Sequence, residues 1–366
     1  MRIAYVVSDL KRVGPTNQTL NIIKNSEYRD KSIVITLFDE PNDSMISEYK
    51  QNKIEIISLK LNRTMFMLNG RKKLLRVLRR NDVSIVHSYG IKADCLCERV
   101  VEKNKFKHII TLRNYPKEDI LTRMNVLKGN FVLNAHLNAL LRCENVVCCS
   151  KTIQSKMKKD YPKKKFRCIQ NGVDTKKYSL VSQHEKNALR EKNQINVKDL
   201  VFISTNSFIP RKRIEETIDG FLKLNVNSSI LLLLGDGILY DTIKDKYKSY
   251  NNIKFLGKTE DVNTYLQLSD IYISSSESEG LPNSVLEAVS CGLPVVLSNI
   301  PQHQEILEEI NDCGLTYKIG NLDDLKHKLS ECVEKKSVYS SKKINSLTME
   351  NMSKKYCNLY KEIGVK

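Results

Sequence analysis

The stretch from Ser274 to Val296, SSSESEGLPNSVLEAVSCGLPVV, contains the residues best suited to chemistry. A strand-like segment ends in serines, a Gly-Leu-Pro-Asn loop follows, and a helix is expected to begin near Asn283. The amino end of such a helix presents backbone N–H groups and a positive dipole to a negative or polyhydroxylated ligand. Glu279 and Glu287 flank the loop, so their carboxylates can accept hydrogen bonds from sugar or ribose hydroxyls, or one can stabilise a cationic transition state.

Alternating apolar runs predict the framework that holds this loop. The chain opens with IAYVV, a polar loop containing Gly14 and Pro15, and the helical pattern TLNIIKNS, which indicate a β-loop-α unit. Two series of similar runs follow: Ser32–Leu37, Ile54–Leu59, Val83–His87, His108–Leu112 and Asn145–Cys149, then Leu200–Thr205, Ile230–Leu234, Ile253–Leu256, Ile271–Ser274 and Pro294–Leu297. We expect an α/β fold of two facing doubly wound, Rossmann-like domains with an interdomain cleft, which favours a two-substrate enzyme.

Length and polarity predict the domain boundaries. A chain of 366 residues exceeds one ordinary core, since domains usually contain about 100–200 residues. The turn-rich Asn171–Asp174 and the very polar stretch Ser182–Lys198 indicate a linker. We expect an N-terminal domain at 1–175, a C-terminal domain at 176–348, and a final helix at 349–366 that packs back on the N-terminal domain.

The lengths of the apolar runs and the spacing of the cysteines predict the cellular compartment of the protein. The longest runs, such as Ile230–Leu234, are far shorter than the roughly 20 residues needed to span a bilayer. Charge appears early in the N-terminal MRIAYVVSDLKR, before a signal-peptide core develops. The ten cysteines follow neither a zinc nor a disulfide spacing. We therefore expect a reduced, cytoplasmic protein.

The positive charge is concentrated in the first half of the chain. Residues 1–174 contain 34 basic and 17 acidic residues, a net charge of +17, whereas the rest carries +1 of the total +18. Two segments carry much of it: Arg71–Arg80, which has the pattern of a basic amphipathic helix, and Lys151–Arg167. These segments could dock on an anionic membrane surface or could simply be solvated faces. Nucleic acid is a less favoured partner, because the basic runs are poorly interleaved with aromatics and the chain has no Trp.

The whole string around Glu279 and Glu287 resembles the glutamate motif of GT-B-fold retaining glycosyltransferases of family 4, in which a Glu, seven residues and a second Glu recur. The resemblance covers nearly the whole chain. It implies that Glu279 contacts the donor sugar and that Glu287 holds the nucleotide ribose. It also implies that the loop between them faces the sugar or the phosphates through Gly280, Leu281, Pro282, Asn283 and Ser284.

A second segment, TNSFIPRKR at 205–213, follows the first strand of the second domain. The resemblance implies that its basic pair, Arg211 and Lys212, grips the diphosphate leaving group, whose negative charge grows as the glycosidic bond breaks. The commoner family pattern has an Arg six residues before the Lys, where this chain has Asn206, and we expect Asn206 to be a donor-binding residue. The FLGK segment would place Lys258 near the nucleotide base.

Three residues of the first domain correspond to cleft or acceptor positions in the resembled family. Gly14 lies in the first β-α loop, His87 lies at a strand end, and Arg113 stands where many relatives have His. Arg cannot act as a general base at neutral pH. The resemblance therefore implies an internal-return mechanism, in which a departing phosphate oxygen takes the acceptor's proton and Arg113 positions phosphate or acceptor.

The chain contains no Asp-x-Asp, the usual carboxylate pair for a bridging Mg²⁺. We expect metal-independent transfer and no cofactor beyond the nucleotide-diphosphate sugar that serves as substrate. The resemblance implies a retaining hexosyltransferase, peripheral on the inner face of the cell membrane, with a lipid-linked (polyprenyl diphosphate) saccharide as acceptor. Capsule, O-antigen or a related surface polysaccharide would be the product.

Two other functions remain open at this point. A sugar-nucleotide 2-epimerase shares the two-domain fold but would need acid and base carboxylates in the first domain and would turn over a nucleotide sugar without an acceptor. A basic nucleic-acid-binding protein would bind any oligonucleotide in a salt-sensitive way and would be indifferent to the loss of Glu279.

Overall fold

The computed structural model describes residues 1–101, 104, 106–122, 124–339 and 344–364. The chain divides into two compact units. Unit 1 comprises Met1–Gly172 and Met349–Lys366, and unit 2 comprises Val173–Thr348. The last two residues of the expected C-terminal segment 349–366 lie outside the described residues.

The described part of unit 1 is built on a seven-stranded parallel sheet with the order β3-β2-β1-β4-β5-β6-β7. Its strands are β1 (Arg2–Val7), β2 (Ser32–Thr36), β3 (Glu55–Ser58), β4 (Val83–Tyr89), β5 (Lys107–Leu112), β6 (Asn145–Cys148) and β7 (Phe166–Cys168). The helices that connect them are α1 (Gly14–Lys24), α2 (Ile46–Gln51), α3 (Arg63–Arg80), α4 (Ile91–Val101), α5 (Pro116–Leu121), α6 (Val126–Arg142) and α7 (Lys151–Asp160).

Unit 2 has the same plan, with a six-stranded parallel sheet in the order β10-β9-β8-β11-β12-β13 across its described residues. Its strands are β8 (Leu200–Thr205), β9 (Ser229–Leu234), β10 (Ile253–Gly257), β11 (Ile271–Ser274), β12 (Val295–Ser298) and β13 (Gly314–Tyr317). Its helices are α8 (Gln183–Lys192), α9 (Ile214–Leu224), α10 (Tyr240–Lys246), α11 (Val262–Leu268), α12 (Asn283–Ser290), α13 (Pro301–Glu309), α14 (Leu322–Glu334) and α15 (Lys336–Tyr339).

The order of strands in each sheet fixes where ligands can bind. In both sheets the chain winds outward in one direction and then returns to the middle to wind the other way, so β1 lies beside β4 and β8 lies beside β11. The loops that leave the carboxyl ends of such a pair diverge and leave a crevice, which is the usual ligand site of an open α/β sheet. The expected α/β fold of two doubly wound, Rossmann-like domains is confirmed.

The final helix, α16 (Met349–Gly364), belongs to unit 1. Its apolar face joins the core formed by β1, β4 and α1, where Tyr356 and Tyr360 are fully buried. Ser353 donates a hydrogen bond to the backbone oxygen of Ile22 in α1 at 2.8 Å. The helix is therefore an integral part of the unit 1 core.

The expected linker at Ser182–Lys198 is wrong, because much of this segment is helix α8 of unit 2. Ser182 and Glu185 form a capping box at its amino end, which explains why so polar a sequence starts a helix there. Arg190 is 3% exposed and forms an ion pair with Asp270 at 2.6 Å, which joins the helix to the start of β11. Polarity alone therefore misidentified a helix that is anchored by buried charge.

Gly220 tests the packing of α9, the helix that follows the predicted diphosphate-binding turn. A Cβ atom at this position would lie 2.6 Å from Cγ of Leu325 in α14, so we expect Gly220→Ala to lower the free energy of unfolding by about 1–3 kcal/mol. Gly70→Ala in α3 is the control, because its Cβ would meet Leu96 at an ordinary 3.5 Å. The control should be neutral or up to about 1 kcal/mol more stable, since Ala favours helix. Thermal unfolding of both variants measures this, and equal stability of the two would contradict the packing argument.

Candidate functional site

Glu279 lies in the loop between β11 and α12 and is 7% exposed. Its carboxylate forms an ion pair with the buried ammonium of Lys212, and its Oε2 lies 3.4 Å from Nη1 of Arg211. Both cations belong to a short 3-10 turn, Pro210–Lys212, that follows β8. The structure therefore brings Glu279, Arg211 and Lys212 into direct contact at the carboxyl ends of two adjacent strands.

Backbone hydrogen bonds hold the two loops against each other. Arg211 Nη1 donates to the carbonyl oxygen of Ser278 at 2.6 Å, and the backbone N–H of Glu277 donates to the carbonyl oxygen of Arg211 at 2.9 Å. Arg213, the next residue, has a left-handed backbone (φ 47°) that reverses the chain between the turn and α9. The basic pair is thus fixed in position by the same loop that carries the acid.

The charges of this cluster depend on one another. Burial raises the pKa of Glu279, but the positive charges of Lys212 and Arg211 outweigh burial and lower that pKa to about 2. Burial lowers the pKa of Lys212, and the Glu279 carboxylate opposes that effect. Glu279 is therefore ionised at neutral pH and is unsuited to donate a proton there.

Three residues that sequence reasoning missed hold the Glu279 loop from its other sides. Gln302, at the amino end of α13, donates its side-chain N–H to the carbonyl oxygen of Glu279 at 2.7 Å. Ser298 at the end of β12 donates to the carbonyl oxygen of Ser276, and the hydroxyls of Thr217 and Ser275 lie 2.7 Å apart. No motif marked these residues, because their role arises from strand and helix ends that meet only in the folded sheet.

Glu287 lies on α12, half-buried and one helical turn beyond the loop. Burial raises its pKa to about 7, and the charge of Lys177 together with the Tyr178 hydroxyl only partly offsets the effect. The two glutamates of the motif therefore have pKa values shifted in opposite directions. Near neutral pH the Glu287 carboxyl can be protonated or ionised, so it can either donate or accept a hydrogen bond.

The five loop residues predicted to face the donor sit between the two glutamates. Gly280, Leu281 and Pro282 are buried, and Asn283 and Ser284 begin α12 as half-buried residues. Pro282 is the N-cap and provides no side-chain hydrogen bond to the helix. The amino end of α12 thus carries a positive dipole without a capping side chain over it.

The remaining two donor candidates, Asn206 and Lys258, follow different strands of the unit 2 sheet. Asn206 directly follows β8, is 8% exposed and donates to Ser204 Oγ at 3.1 Å. Its Oδ1 is buried and has no hydrogen-bond partner among the described residues. Lys258 is exposed and follows β10, the edge strand three positions away from β11 in the sheet.

In unit 1, Gly14 is the first residue of α1, after the carboxyl end of β1. Arg113 follows β5, and its Nη1 donates to Asn171 Oδ1 at 2.6 Å. The guanidinium carbon lies 5.1 Å from the ring centre of Tyr89, and Nε and Nη2 are buried without a hydrogen-bond partner among the described residues. An oxyanion that reached these two N–H groups would satisfy them.

His87 does not reach the surface of unit 1. Its side chain is completely buried, its Nδ1 lies 2.8 Å from the Tyr360 hydroxyl, and its Nε2 lies 2.8 Å from Thr111 Oγ1. Burial, with the nearby charge of Arg113, lowers the pKa of His87 well below its usual range. In this geometry a neutral His87 links β4 to α16 and is not positioned to contact an acceptor.

The described residues contain no group of three or more His, Cys, Asp and Glu side chains arranged to hold a metal ion. None of the helices in this part of the chain is long and apolar enough to cross a bilayer.

Glu287→Gln tests the raised pKa. The folded-state pKa of about 7 exceeds the ordinary 4.5, so the unfolded carboxyl ionises first and folding stability falls as the pH rises from about 4.5 to 7. The amide carries no charge, and we expect E287Q to be more stable than the unchanged protein at pH 8 by about 1–3 kcal/mol. The difference should shrink towards pH 4.5 in thermal unfolding. A pH-independent difference, or the same difference in the exposed control Glu308→Gln, would contradict the assignment.

Both halves of the chain match models of known glycosyltransferase families. Residues 185–347 match the family described as glycosyl transferases group 1, and residues 32–177 match glycosyltransferase family 4. The O-antigen biosynthesis glycosyltransferase WclY of Escherichia coli is 27% identical, with 99% of each chain covered. An Escherichia coli UDP-Gal:α-D-GlcNAc-diphosphoundecaprenol α-1,3-galactosyltransferase is 29% identical over 43% of each chain.

The fold has a close counterpart among solved structures. Anabaena Alr3699/HepE in complex with UDP-glucose superimposes with a TM-score of 0.79 at 17% identity, covering 98% of this chain and 95% of that one. The two family matches account for most of both units. Glu279 and the basic pair lie in the loops that follow the adjacent central strands β11 and β8 of the second sheet. The chain therefore belongs to the GT-B-fold glycosyltransferases of the family 4 type.

Proposed function

We propose that this glycosyltransferase moves a hexosyl unit, with retention of anomeric configuration, from a nucleotide-diphosphate sugar to a lipid-linked saccharide in the synthesis of a surface polysaccharide such as O-antigen or capsule. One observation carries the donor half of the proposal. Arg211 and Lys212 are held beside a sugar-contacting candidate, Glu279, at the crevice between β8 and β11.

The basic pair suits a diphosphate that leaves as an anion. Lys212 and Arg211 are positioned before the ligand arrives, because Glu279 and the Ser278 carbonyl hold them. A donor diphosphate would share these cations with Glu279. As the bond from the sugar C1 to the phosphate oxygen breaks, charge accumulates on that oxygen, so fixed cations there stabilise the transition state more than the bound substrate.

Glu287 suits the nucleoside part of the donor. A half-buried carboxyl with a pKa near 7 would be stabilised in its ionised form by two ribose hydroxyl donors. In this proposal nucleotide binding lowers the pKa of Glu287, and the loop between the glutamates faces the sugar and phosphates.

Retention follows from an internal-return step. The bond from C1 to the diphosphate oxygen breaks, the acceptor hydroxyl oxygen forms its bond to C1 on the same face, and the acceptor's proton passes to the departing phosphate oxygen. This route needs no protein base, which fits Arg113 at a position where the resembled family often has His. Arg113 and Gly14 are proposed to position phosphate or acceptor.

The acceptor class is proposed from relatives. WclY acts in O-antigen biosynthesis, and the Escherichia coli galactosyltransferase named above uses a sugar linked to diphosphoundecaprenol. An acceptor of that kind carries phosphates on a membrane lipid, which suits the charge of +17 within residues 1–174. We therefore propose that the enzyme works at the cytoplasmic membrane surface.

Nucleotide binding tests the donor site. A thermal-shift screen of UDP, GDP, ADP and CMP without metal should show stabilisation by one nucleoside diphosphate. Lys212→Ala and Glu287→Ala should weaken that binding about tenfold or more, because each removes a group bonded to the nucleotide. Glu279→Ala should mainly lower turnover.

Lys248→Ala is the matched control for this series, since Lys248 is an exposed lysine of the same unit. It should bind the nucleotide as the unchanged protein does. A screen in which no nucleoside diphosphate stabilises the protein would contradict the proposed function, and unchanged affinity in both Lys212→Ala and Glu287→Ala would refute the site assignment.

Metal removal tests the catalytic role of the basic pair. If Arg211 and Lys212 supply the positive charge for the leaving diphosphate, transfer from the donor found in the screen should continue at an undiminished rate in EDTA. Abolition of transfer by EDTA and recovery with added Mg²⁺ would show that the metal-independent mechanism is wrong.

A further inference from the structure

Five apolar side chains among the described residues of unit 1 are more than 70% exposed to solvent. They are Met67 and Leu68 on α3 (each 73% exposed) and Val126, Leu127 and Phe131 on α6 (73%, 87% and 77% exposed). We call this set the apolar rim. Single exposed apolar residues are ordinary, but large ones concentrated on two helices indicate an interaction surface.

The two helices present the rim at the end of the unit 1 sheet formed by the carboxyl ends of its strands, which we call the carboxyl edge. In a parallel sheet the connecting segment returns from the carboxyl end of one strand to the amino end of the next. Helix α3 ends just before β4 and α6 ends just before β6, so both helices end at the amino ends of the strands and begin towards their carboxyl ends. Helix α4 lies between them: Arg71 of α3 donates to the carbonyl oxygen of Arg99 at 2.8 Å, and His136 of α6 lies 2.9 Å from Asp94. The rim residues occupy the first two turns of their helices, close to that edge.

The rim is not part of the face that packs these helices on the sheet. Helix α3 already buries Leu74 and Leu78, and α6 buries Leu133 and Leu140. The rim side chains are therefore an additional apolar surface, and covering them with an apolar partner would be favourable.

Charge around the rim selects the kind of partner. Residues 56–81, which include α3, contain eight Lys and Arg and no Asp or Glu, and residues 120–143, which include α6, contain three and none. Such acid-free segments are unusual in a chain with 42 acidic residues. A partner that is apolar inside and anionic at its surface matches both features.

A second copy of this chain is a poor match for the rim. A symmetric dimer would bring two copies of the same positively charged, acid-free surface face to face, which like-charge repulsion opposes. The rim side chains also project from the ends of two separate helices, where a deformable bilayer can accommodate them without a shaped groove.

We propose that the apolar rim inserts into the headgroup region of an anionic bilayer, while Lys and Arg side chains of α3 contact the lipid phosphates. This inference rests on the proposed function, because it brings the sheet edge that carries Gly14 and Arg113 to the lipid bearing the acceptor. It also divides the attraction into an apolar part from the rim and an electrostatic part from α3. The two parts respond differently to salt, because salt screens charges but does not weaken apolar insertion.

Vesicle sedimentation of the full chain tests the proposal. We expect binding to phosphatidylcholine vesicles that contain phosphatidylglycerol, weaker binding without phosphatidylglycerol, and a residual fraction bound at high salt. The double variant Leu127→Ser with Phe131→Ser should bind the anionic vesicles at least about tenfold more weakly, because two inserted side chains are lost. The residual fraction at high salt should disappear in this variant.

The matched control changes two exposed apolar residues of unit 2, Ile238→Ser and Leu180→Ser, which are 80% and 58% exposed. It should bind as the unchanged protein does. Equal vesicle binding by the rim variant and the unchanged protein would overturn the inference, as would an equal loss in the control. A dimer seen by light scattering that the rim variant abolishes would also overturn it, in favour of a second copy.

Nucleotide stabilisation of the same proteins separates this inference from the proposed function. The rim variant should keep the unchanged protein's melting midpoint and its shift with nucleoside diphosphate, since the changed side chains are exposed in unit 1. Loss of vesicle binding with this shift intact would confirm that the rim acts on lipid. Wild-type protein that binds nucleotide but no vesicle would refute the rim proposal and leave the glycosyltransferase assignment standing.

Discussion

A carboxylate buried between two cations determines the arrangement of the two loops that follow β8 and β11 in unit 2. Glu279 is almost inaccessible to water, and a charge in such a position is stable only with opposite charge and hydrogen bonds beside it. Lys212 and Arg211 provide the charge, and they come from the neighbouring strand because the doubly wound order places β8 beside β11. Loop conformation, cation position and the protonation state of the acid are therefore consequences of one pairing.

The glutamate motif acquires two chemically different carboxyls from this arrangement. The first lies in the loop, where the basic turn reaches it, and stays ionised. The second lies on α12, and burial raises its pKa towards neutrality. Seven intervening residues are enough to separate an ionised carboxylate held by two cations from a carboxyl whose pKa lies near neutrality.

The doubly wound α/β plan and the glutamate loop could be predicted because strong local patterns mark them. Apolar runs identify strands that are buried on both faces, but β7 (Phe166–Cys168) and β13 (Gly314–Tyr317) are edge strands with partly exposed residues, and no apolar run indicated them. The polarity of α8 suggested a linker because Arg190 and its partner Asp270 are far apart in sequence. His87 resembled an acceptor contact until Tyr360, 273 residues later, was seen beside it. The last two failures each involve a partner that only the tertiary fold brings near.

The return of α16 to unit 1 has a consequence for biosynthesis. Tyr356 and Tyr360 complete the core around Tyr5 and His87, yet the ribosome makes them only after all of unit 2. Since translation proceeds at about 5–20 residues per second, the first sheet waits many seconds with an unfilled apolar face while the second unit emerges and folds. The nascent chain thus contains a nearly complete domain whose last structural element is made late. During that interval the exposed apolar face makes the nascent chain most prone to chaperone binding.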